Sequence, residues 1–240
     1  MTGNEPPPPS SAVPEGTVDN ALTAAAAAEG EFWIFGYAPQ SARMGDRLRA
    51  QVLAGKLNLL LRVCFHQSRA HMSPASFLAD IEDHRGTPEA PGRVATLIDR
   101  SFWETLTDDH DSAADDKVWG VAYRIDAAHA AEVREYLDIR EINGYTIHYT
   151  PFYPAAADAK PFRTMAYIGK PENPQFTGPQ DVQALAEHIF RSTGPSGPNR
   201  DYLWGLEKAL NELSPESGDV HISDLSQRVR AIAAAAEPVQ

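Results

Sequence analysis

The first candidate for chemistry is Glu141, a carboxylate near a predicted helix end. The stretch EYLDIREINGY, residues 135 to 145, is typical of a helix end, because Asn143-Gly144 is a helix stop signal. Glu141 is therefore predicted at the negative end of a helix dipole, which disfavours the ionised carboxylate. A carboxyl group with a raised pKa can take up and return a proton near neutral pH. The residues alone leave two interpretations open, a general acid and base or a surface glutamate beside Arg140.

The aromatic stretch FWIFGYAPQ, residues 32 to 40, is the second candidate. Its first six residues predict a buried strand that ends in a Gly-Tyr turn. Successive backbone N–H groups of such a turn can hold an anion. A buried strand followed by an ordinary loop is an equally open interpretation.

Other reactive side chains give weaker patterns. Residues 108 to 117 place five aspartates around His110, which favours a solvated loop over a metal site. Cys64 is the only cysteine, so an internal disulfide is excluded and a reducing cytosol is expected. The sequence has no glycine-rich phosphate loop, zinc-ligand spacing or Gly-x-Ser-x-Gly elbow.

Strands are predicted before residue 170 and helices after it, with one helix inserted between. Strand candidates, rich in β-branched and aromatic residues, are 32–37, 92–98, 118–125, 145–153 and 162–169, while 57–65 is ambiguous between strand and helix. Helical spacing of apolar residues is found in 126–141, 181–190, 201–213 and 222–236. This segregation predicts an α+β protein with a mixed or antiparallel sheet, open or closed into a barrel, and helices packed outside.

Composition and charge limit the domain organisation, the partners and the location that we expect for this chain. We expect a disordered Pro/Ala-rich tail over 1–30, one folded domain over 31–215 and a C-terminal helix within 216–240. The net charge of -12 argues against nucleic-acid partners and anionic membrane surfaces. No apolar run approaches the length of a membrane span and no signal peptide is recognisable, so a cytoplasmic location is expected.

The order of several motifs resembles one family. FWIFGY, EDHRGTPEAPGRVATLI, VWGVAYRI, EYLDIREINGY and GPSGPNRDYL follow one another as in the ChaC-type γ-glutamylcyclotransferases. The resemblance covers about 32–38 and 82–213. It implies a small mixed β-barrel with surrounding helices, and a cytosolic enzyme that cleaves glutathione to 5-oxoproline and cysteinylglycine without metal or cofactor.

The resemblance also assigns roles to residues. The family's catalytic glutamate corresponds to Glu141, which would take a proton from the glutamyl amine and deliver it to the leaving nitrogen. The loop after the first strand would hold the glutamyl part, and Tyr145 and Tyr202 would line the pocket. The substrate-binding residues implied for the first strand and its loop are Ile34, Phe35, Gly36, Tyr37, Ala38 and Pro39.

Two stretches depart from the family pattern. Ala38-Pro39 replaces a Gly-Ser pair, which removes one N–H donor and one hydroxyl group. The alternative function is therefore a non-catalytic member that binds a γ-glutamyl compound or a protein partner; a cyclotransferase for other γ-glutamyl amines also stays open. Residues 41–81 match nothing expected of the family, and we interpret them as genuine divergence or as a translated intron or shifted frame.

Overall fold

The computed structural model describes residues 32–37, 51–57, 59–67, 85–108, 117–125 and 145–236. The strands in these ranges are β1 Phe32–Gly36, β2 Gln51–Leu57, β3 Leu60–Gln67, β4 Gly92–Ile98, β5 Val118–Ile125, β6 Tyr145–Pro154, β7 Phe162–Gly169, β8 Thr193–Gly194 and β9 Gly197–Pro198. The helices are α1 Arg100–Trp103, α2 Val182–Arg191, α3 Asn199–Leu213 and α4 Val220–Ala236.

Five of the strands close into a barrel. Around the ring the neighbours are β1, β5, β2, β6 and β7, and the ring closes where β1 pairs with β7. The closing pair is parallel, whereas the other four pairs of the ring are antiparallel. The sheet is therefore a small mixed barrel, in which closure removes most free strand edges.

One edge of β7 is shared by two parallel strands. β1 pairs with it at Ile34↔Met165, and β4 pairs with it nearer its C-terminal end at Leu97↔Ile168. β4 then extends the sheet outward by antiparallel pairing with β3. β1 and β4 thus diverge along β7, and we call the place where they part the fork.

Aromatic rings fill the barrel interior. Phe35 of β1 and Phe152 of β6 belong to strands that are not neighbours, yet their ring centroids are 6.1 Å apart, so both rings point inward. A Cβ atom on Gly120 would lie 2.3 Å from the Phe35 ring, and one on Gly55 would lie 2.4 Å from the Phe152 ring. Larger side chains at these two positions would displace the rings, so the glycines of β2 and β5 leave the space that the two rings occupy.

Three helices cover the barrel and the β3–β4 extension. Each of α2, α3 and α4 buries one apolar face in the same core as the strands, as its helical spacing predicts. The residues of these faces include Leu185, Ile189, Leu203, Leu206, Leu210, Ile222, Leu225 and Val229. Asp181 caps α2, because its carboxylate accepts the backbone N–H of Ala184 at 2.8 Å.

The predicted α+β class and the mixed barrel are confirmed. The strands at 92–98, 118–125 and 162–169 have the predicted bounds, and the ambiguous stretch 57–65 contributes to strand β3. The predicted helix 126–141 lies outside the described residues. The division into a tail, a domain and a C-terminal helix stays a prediction, although α4 does form.

Residues 51–67, within the atypical stretch 41–81, include two strands. β2 pairs with both β5 and β6 as a member of the ring, and β3 pairs with β4. The side chains of Leu57 and Leu61 are buried in the main core. This part of the stretch therefore carries strand-forming residues that fit the barrel.

In the part of the chain that the structure describes, no helix is both long and apolar enough to cross a membrane.

Candidate functional site

The end of β1 and the start of β6 lie at the same end of the barrel. β1 runs parallel to β7, so Gly36 points toward the end at which β7 finishes with Gly169. β6 runs antiparallel to β7, and its first residue, Tyr145, pairs with Gly169. We call this end, marked by Gly36, Tyr145 and Gly169, the site end. The chain leaves β1 and enters β6 there.

Tyr37 attaches the end of β1 to β4 across the fork. Its hydroxyl group donates a hydrogen bond of 2.9 Å to the carbonyl oxygen of Ala95. Its ring is partly buried against the main core. Tyr37, the residue that follows β1, is therefore fixed to β4 by its own side chain.

Two side chains from the start of α3 occupy the same edge of β4. Asn199 is fully buried, accepts the Arg93 N–H at 2.7 Å and donates to the Arg93 carbonyl oxygen at 2.8 Å. Tyr202 follows on the same face of the helix, and its hydroxyl oxygen accepts the Ala95 N–H at 3.1 Å. Together with Tyr37, they bind backbone groups that a neighbouring strand would otherwise bind.

The loop before β4 is bound to the loop before α3. The Arg85 guanidinium donates to the carbonyl oxygen of Ser196 at 2.8 Å. His188 Nε2 lies 2.7 Å from the carbonyl oxygen of Pro91. A Cβ atom on Gly86 would lie 2.0 Å from the backbone nitrogen of Gly92, so the loop closes on itself only with glycine there. Residues 85–93 and 194–203, the described parts of the motifs DHRGTPEAPGR and GPSGPNRDYL, thus belong to one packed unit.

Two basic side chains near the loop before β4 have lowered pKa values. Burial lowers the pKa of Arg93, whose guanidinium contacts neutral oxygens of Gln180, Pro91 and Gly92 at 3.3–3.4 Å. Burial also lowers the pKa of His188, and the positive charges of Arg93 and Arg191 lower it further. His188 is therefore neutral at neutral pH, and its Nε2–H donates to Pro91.

The sequence-predicted site residues have different positions. Tyr37 and Tyr145 are half-buried at the site end, and Tyr202 is buried with its hydroxyl group on β4. The side chains of Ile34 and Phe35 are buried on opposite faces of β1. Glu141, Ala38 and Pro39 lie outside the described residues, so their roles stay predictions.

Sequence reasoning missed Asn199 and Ala95. Ala95 acts through its backbone, which leaves no signature in the side-chain sequence. Asn199 could have been found, because it precedes Tyr202 by three residues at a helix start and so shares its face.

The aspartate-rich stretch begins with a structural contact. Asp108 accepts from the Arg62 guanidinium at 2.8 Å and from the Trp103 indole N–H at 2.7 Å. Residues 109–116 lie outside the described residues. Among those described, no group of three or more His, Cys, Asp or Glu side chains could hold a metal ion.

Comparisons with known proteins agree with this architecture. The sequence model of a family described as ChaC-like protein matches residues 67–232, so the resemblance begins before residue 82. The chain is 44% identical over 151 residues to the glutathione-specific gamma-glutamylcyclotransferase of Schizosaccharomyces pombe, covering 62% of this chain and 74% of that protein. It is 32% identical over 211 residues to gamma-glutamylcyclotransferase 2-3 of Arabidopsis thaliana, covering 85% of this chain and 92% of that protein.

A solved structure has the same fold. The crystal structure of a yeast gamma-glutamyl cyclotransferase specific to glutathione superimposes with a TM-score of 0.68 at 28% identity. The match covers 84% of this chain and 96% of the yeast chain. The barrel is therefore shared over nearly the whole length of that protein.

Proposed function

Because the chain belongs to the ChaC-like family, we propose that it is a glutathione-specific γ-glutamylcyclotransferase, a lyase that cleaves a C–N bond. The products are 5-oxoproline and cysteinylglycine. The observation that carries the proposal is that two strands, β1 and β6, have their ends next to the predicted site residues at the same end of the barrel, the site end. β1 ends and β6 begins there, and the residues next to them in sequence are those to which we assign glutamyl binding and catalysis.

Glu141 is the proposed catalytic base and acid. It precedes Tyr145 by four residues. An extended chain spans at most about 3.5 Å per residue, so the two Cα atoms are within about 14 Å of each other. Tyr145 lies at the site end, so this short connection limits how far the Glu141 backbone can lie from that end of the barrel.

The reaction is an intramolecular transfer of the γ-glutamyl carbonyl group. Glu141 removes a proton from the α-ammonium group, and the neutral amine attacks the γ-carbonyl carbon of the same glutamyl residue. A new C–N bond closes the five-membered ring and the old amide C–N bond breaks. The attacking nitrogen loses a second proton as it becomes the lactam N–H, and Glu141 passes both protons to the departing cysteine nitrogen, which leaves as an ammonium group. No water or redox partner is consumed.

The protein's main task is to hold the glutamyl chain bent. Ring closure is already unimolecular, so correct placement and stabilisation of the developing oxyanion account for most of the acceleration. We assign this placement to the Gly36-Tyr37-Ala38 turn, which Tyr37 fixes to β4. Ile34, Phe35 and Pro39 would contribute backbone groups, and Tyr145 would border the pocket.

The second candidate function, a non-catalytic γ-glutamyl-binding protein, rests on the Ala38-Pro39 pair. The named relatives are cyclotransferases, and no feature of the described residues favours the alternative.

Glutathione is the proposed small-molecule partner, and the cytosol, which holds this tripeptide in reduced form, is the proposed location.

The decisive experiment incubates the purified full chain with glutathione and measures 5-oxoproline and cysteinylglycine by mass spectrometry. We expect product from the wild type and a loss of about 10²-fold or more in Glu141→Gln, which cannot act as a base. Glu172→Gln, an exposed control, should keep full activity. A folded wild type that binds glutathione in calorimetry without forming product would support the non-catalytic alternative.

The same assay tests the substrate. γ-Glutamylcysteine and γ-glutamylalanine replace glutathione at equal concentration. Turnover of all three at similar kcat/KM would contradict glutathione specificity and support a broader cyclotransferase.

A further inference from the structure

We propose that Asn199 is a positioning residue for this reaction, which acts on Tyr37, the residue that follows β1, through the backbone of β4. The inference rests on the proposed function. Asn199 lies on α3, far in sequence from the two stretches that carry the family's catalytic and binding positions. The inference makes it a further residue on which turnover depends.

The edge of β4 explains why Asn199 has this effect. Alternate residues of a strand present their N–H and C=O groups to the same edge. Leu97 pairs with β7, but Ala95 and Arg93 lie beyond the fork, where β1 occupies the edge of β7. The backbone groups of Ala95 meet the hydroxyl groups of Tyr37 and Tyr202, and those of Arg93 meet the side-chain amide of Asn199.

An asparagine suits this position for a geometric reason. Its amide carries an acceptor and a donor side by side, which match the N–H and C=O of a single residue in an extended strand. The side chain has 0% relative exposure, so solvent has no access to replace either hydrogen bond. Asparagine commonly caps a helix, but here Pro198 occupies the N-cap position and the Asn199 side chain is directed to β4.

The arrangement makes β4 a fixed support for Tyr37. The carbonyl oxygen that accepts the Tyr37 hydroxyl belongs to Ala95, whose N–H donates to Tyr202. Two residues earlier in the strand, the backbone of Arg93 is bound by Asn199. Tyr37 directly precedes the Ala38-Pro39 pair that we assign to the glutamyl part. If β4 moves at residues 93–95, the partner that fixes Tyr37 moves with it, and a displacement of about 1 Å can lower a rate by about 10²-fold.

A double-mutant cycle between Asn199 and Tyr37 tests the inference. The variants are Asn199→Ala, Asn199→Asp, Tyr37→Phe and the corresponding double variants. Asn199→Asp keeps the acceptor for the Arg93 N–H but replaces the donor with an oxygen that repels the Arg93 carbonyl oxygen. It serves as the conservative variant if Asn199→Ala does not fold. Asn211→Ala is the control, because Asn211 is exposed on the same helix.

The readout is kcat/KM for 5-oxoproline formation, with urea unfolding of every variant. We expect Asn199→Asp and Asn199→Ala to lower kcat/KM by about 10- to 100-fold in protein that is folded under assay conditions. In the Tyr37→Phe background, which already lacks the hydroxyl group, the same substitutions should lower kcat/KM by less than about 2-fold. Asn211→Ala should leave kcat/KM unchanged.

Two results would overturn the inference alone. In both, the wild type is active and Glu141→Gln is inactive. The first is an unchanged kcat/KM in folded Asn199→Asp. The second is an equal loss with and without the Tyr37 hydroxyl group, which would show that Asn199 only stabilises the fold. An inactive wild type would instead contradict the proposed function itself.

Discussion

At the residue scale, Arg62 on β3 combines a charge with nearly complete burial. Its side chain is 2% exposed, and it forms an ion pair with Asp108, whose carboxylate also accepts the Trp103 indole N–H. Removing one partner of a buried pair leaves the other charge without compensation. We predict that Asp108→Asn lowers the free energy of unfolding by about 3 kcal/mol, measured by urea denaturation.

The matched control for this prediction is Asp158→Asn. Asp158 is exposed, so its neutralisation should change the free energy of unfolding by less than about 0.5 kcal/mol. Equal stability of Asp108→Asn and the wild type would show that the negative charge of Asp108 contributes nothing beyond hydrogen bonds that a neutral amide oxygen can accept.

The residues of the site differ in how far the sequence alone could predict them. Tyr37 and Tyr202 could be singled out as polar aromatic residues in motifs, but their common partner could not, because Ala95 offers only backbone atoms. The hydroxyl group of Tyr202 binds β4, and its predicted place at the border of the pocket stays a prediction. Tertiary contacts between residues separated by 58 and 107 positions leave no local pattern.

At the element scale, β2 allows a direct test of the atypical stretch. Leu57 ends β2, is fully buried, and pairs with Val118 of β5 and Phe152 of β6. We predict that Leu57→Ala lowers the free energy of unfolding by about 2–5 kcal/mol, because it leaves a cavity in the core. The measurement is urea denaturation followed by tryptophan fluorescence.

An exposed aliphatic residue provides the comparison for Leu57. Val220 at the start of α4 is 48% exposed, so Val220→Ala should change the stability by less than about 0.5 kcal/mol. A Leu57→Ala effect as small as that of Val220→Ala would show that β2 is not part of the folded barrel. The interpretation of this stretch as divergent but genuine sequence would then lose its structural support.

The elements were predictable where the local pattern was strong. β4, β5 and β7 are runs of β-branched and aromatic residues between turn residues, and their bounds agree with the prediction. β3 was ambiguous because LNLLLRVCF is apolar at nearly every position, which periodicity cannot assign. Its pairing with β4 decides in favour of a strand. β2 was missed, since QVLAGKL contains a glycine and few β-branched residues. Gly55 is explained only by tertiary contacts, since a Cβ atom there would meet the Phe152 ring and the Tyr153 carbonyl oxygen.

At the scale of the whole molecule, the closed ring depends on contacts that no segment reveals alone. The composition predicted strands followed by helices, but a mixed or antiparallel sheet can be open or closed. Closure is decided by the parallel β1–β7 pair, which joins the beginning of the domain to a strand more than 120 residues later. Only the resemblance to a family supplied this feature in advance.

The pH dependence of the free energy of unfolding includes a contribution from His188, which joins α2 to the loop before β4. Burial and the charges of Arg93 and Arg191 hold the pKa of His188 below its ordinary value of 6.5 in the folded state. The unfolded chain therefore binds a proton more readily, and the stability decreases as the pH falls below about 6.5. Once the pH is below the folded-state pKa, this loss is complete. Asp99, whose hydrogen bond to Ser101 lowers its pKa, affects stability only below about pH 3.8.

We predict that the free energy of unfolding in urea falls more between pH 8 and pH 5 in the wild type than in His188→Gln. Glutamine keeps an N–H donor for the Pro91 carbonyl group but does not titrate. The net charge of -12 acts in the opposite direction, because acidification reduces self-repulsion. This effect is common to both proteins, so their difference isolates His188. An identical pH dependence in the two proteins would show that His188 is as easily protonated in the folded chain as in the unfolded one.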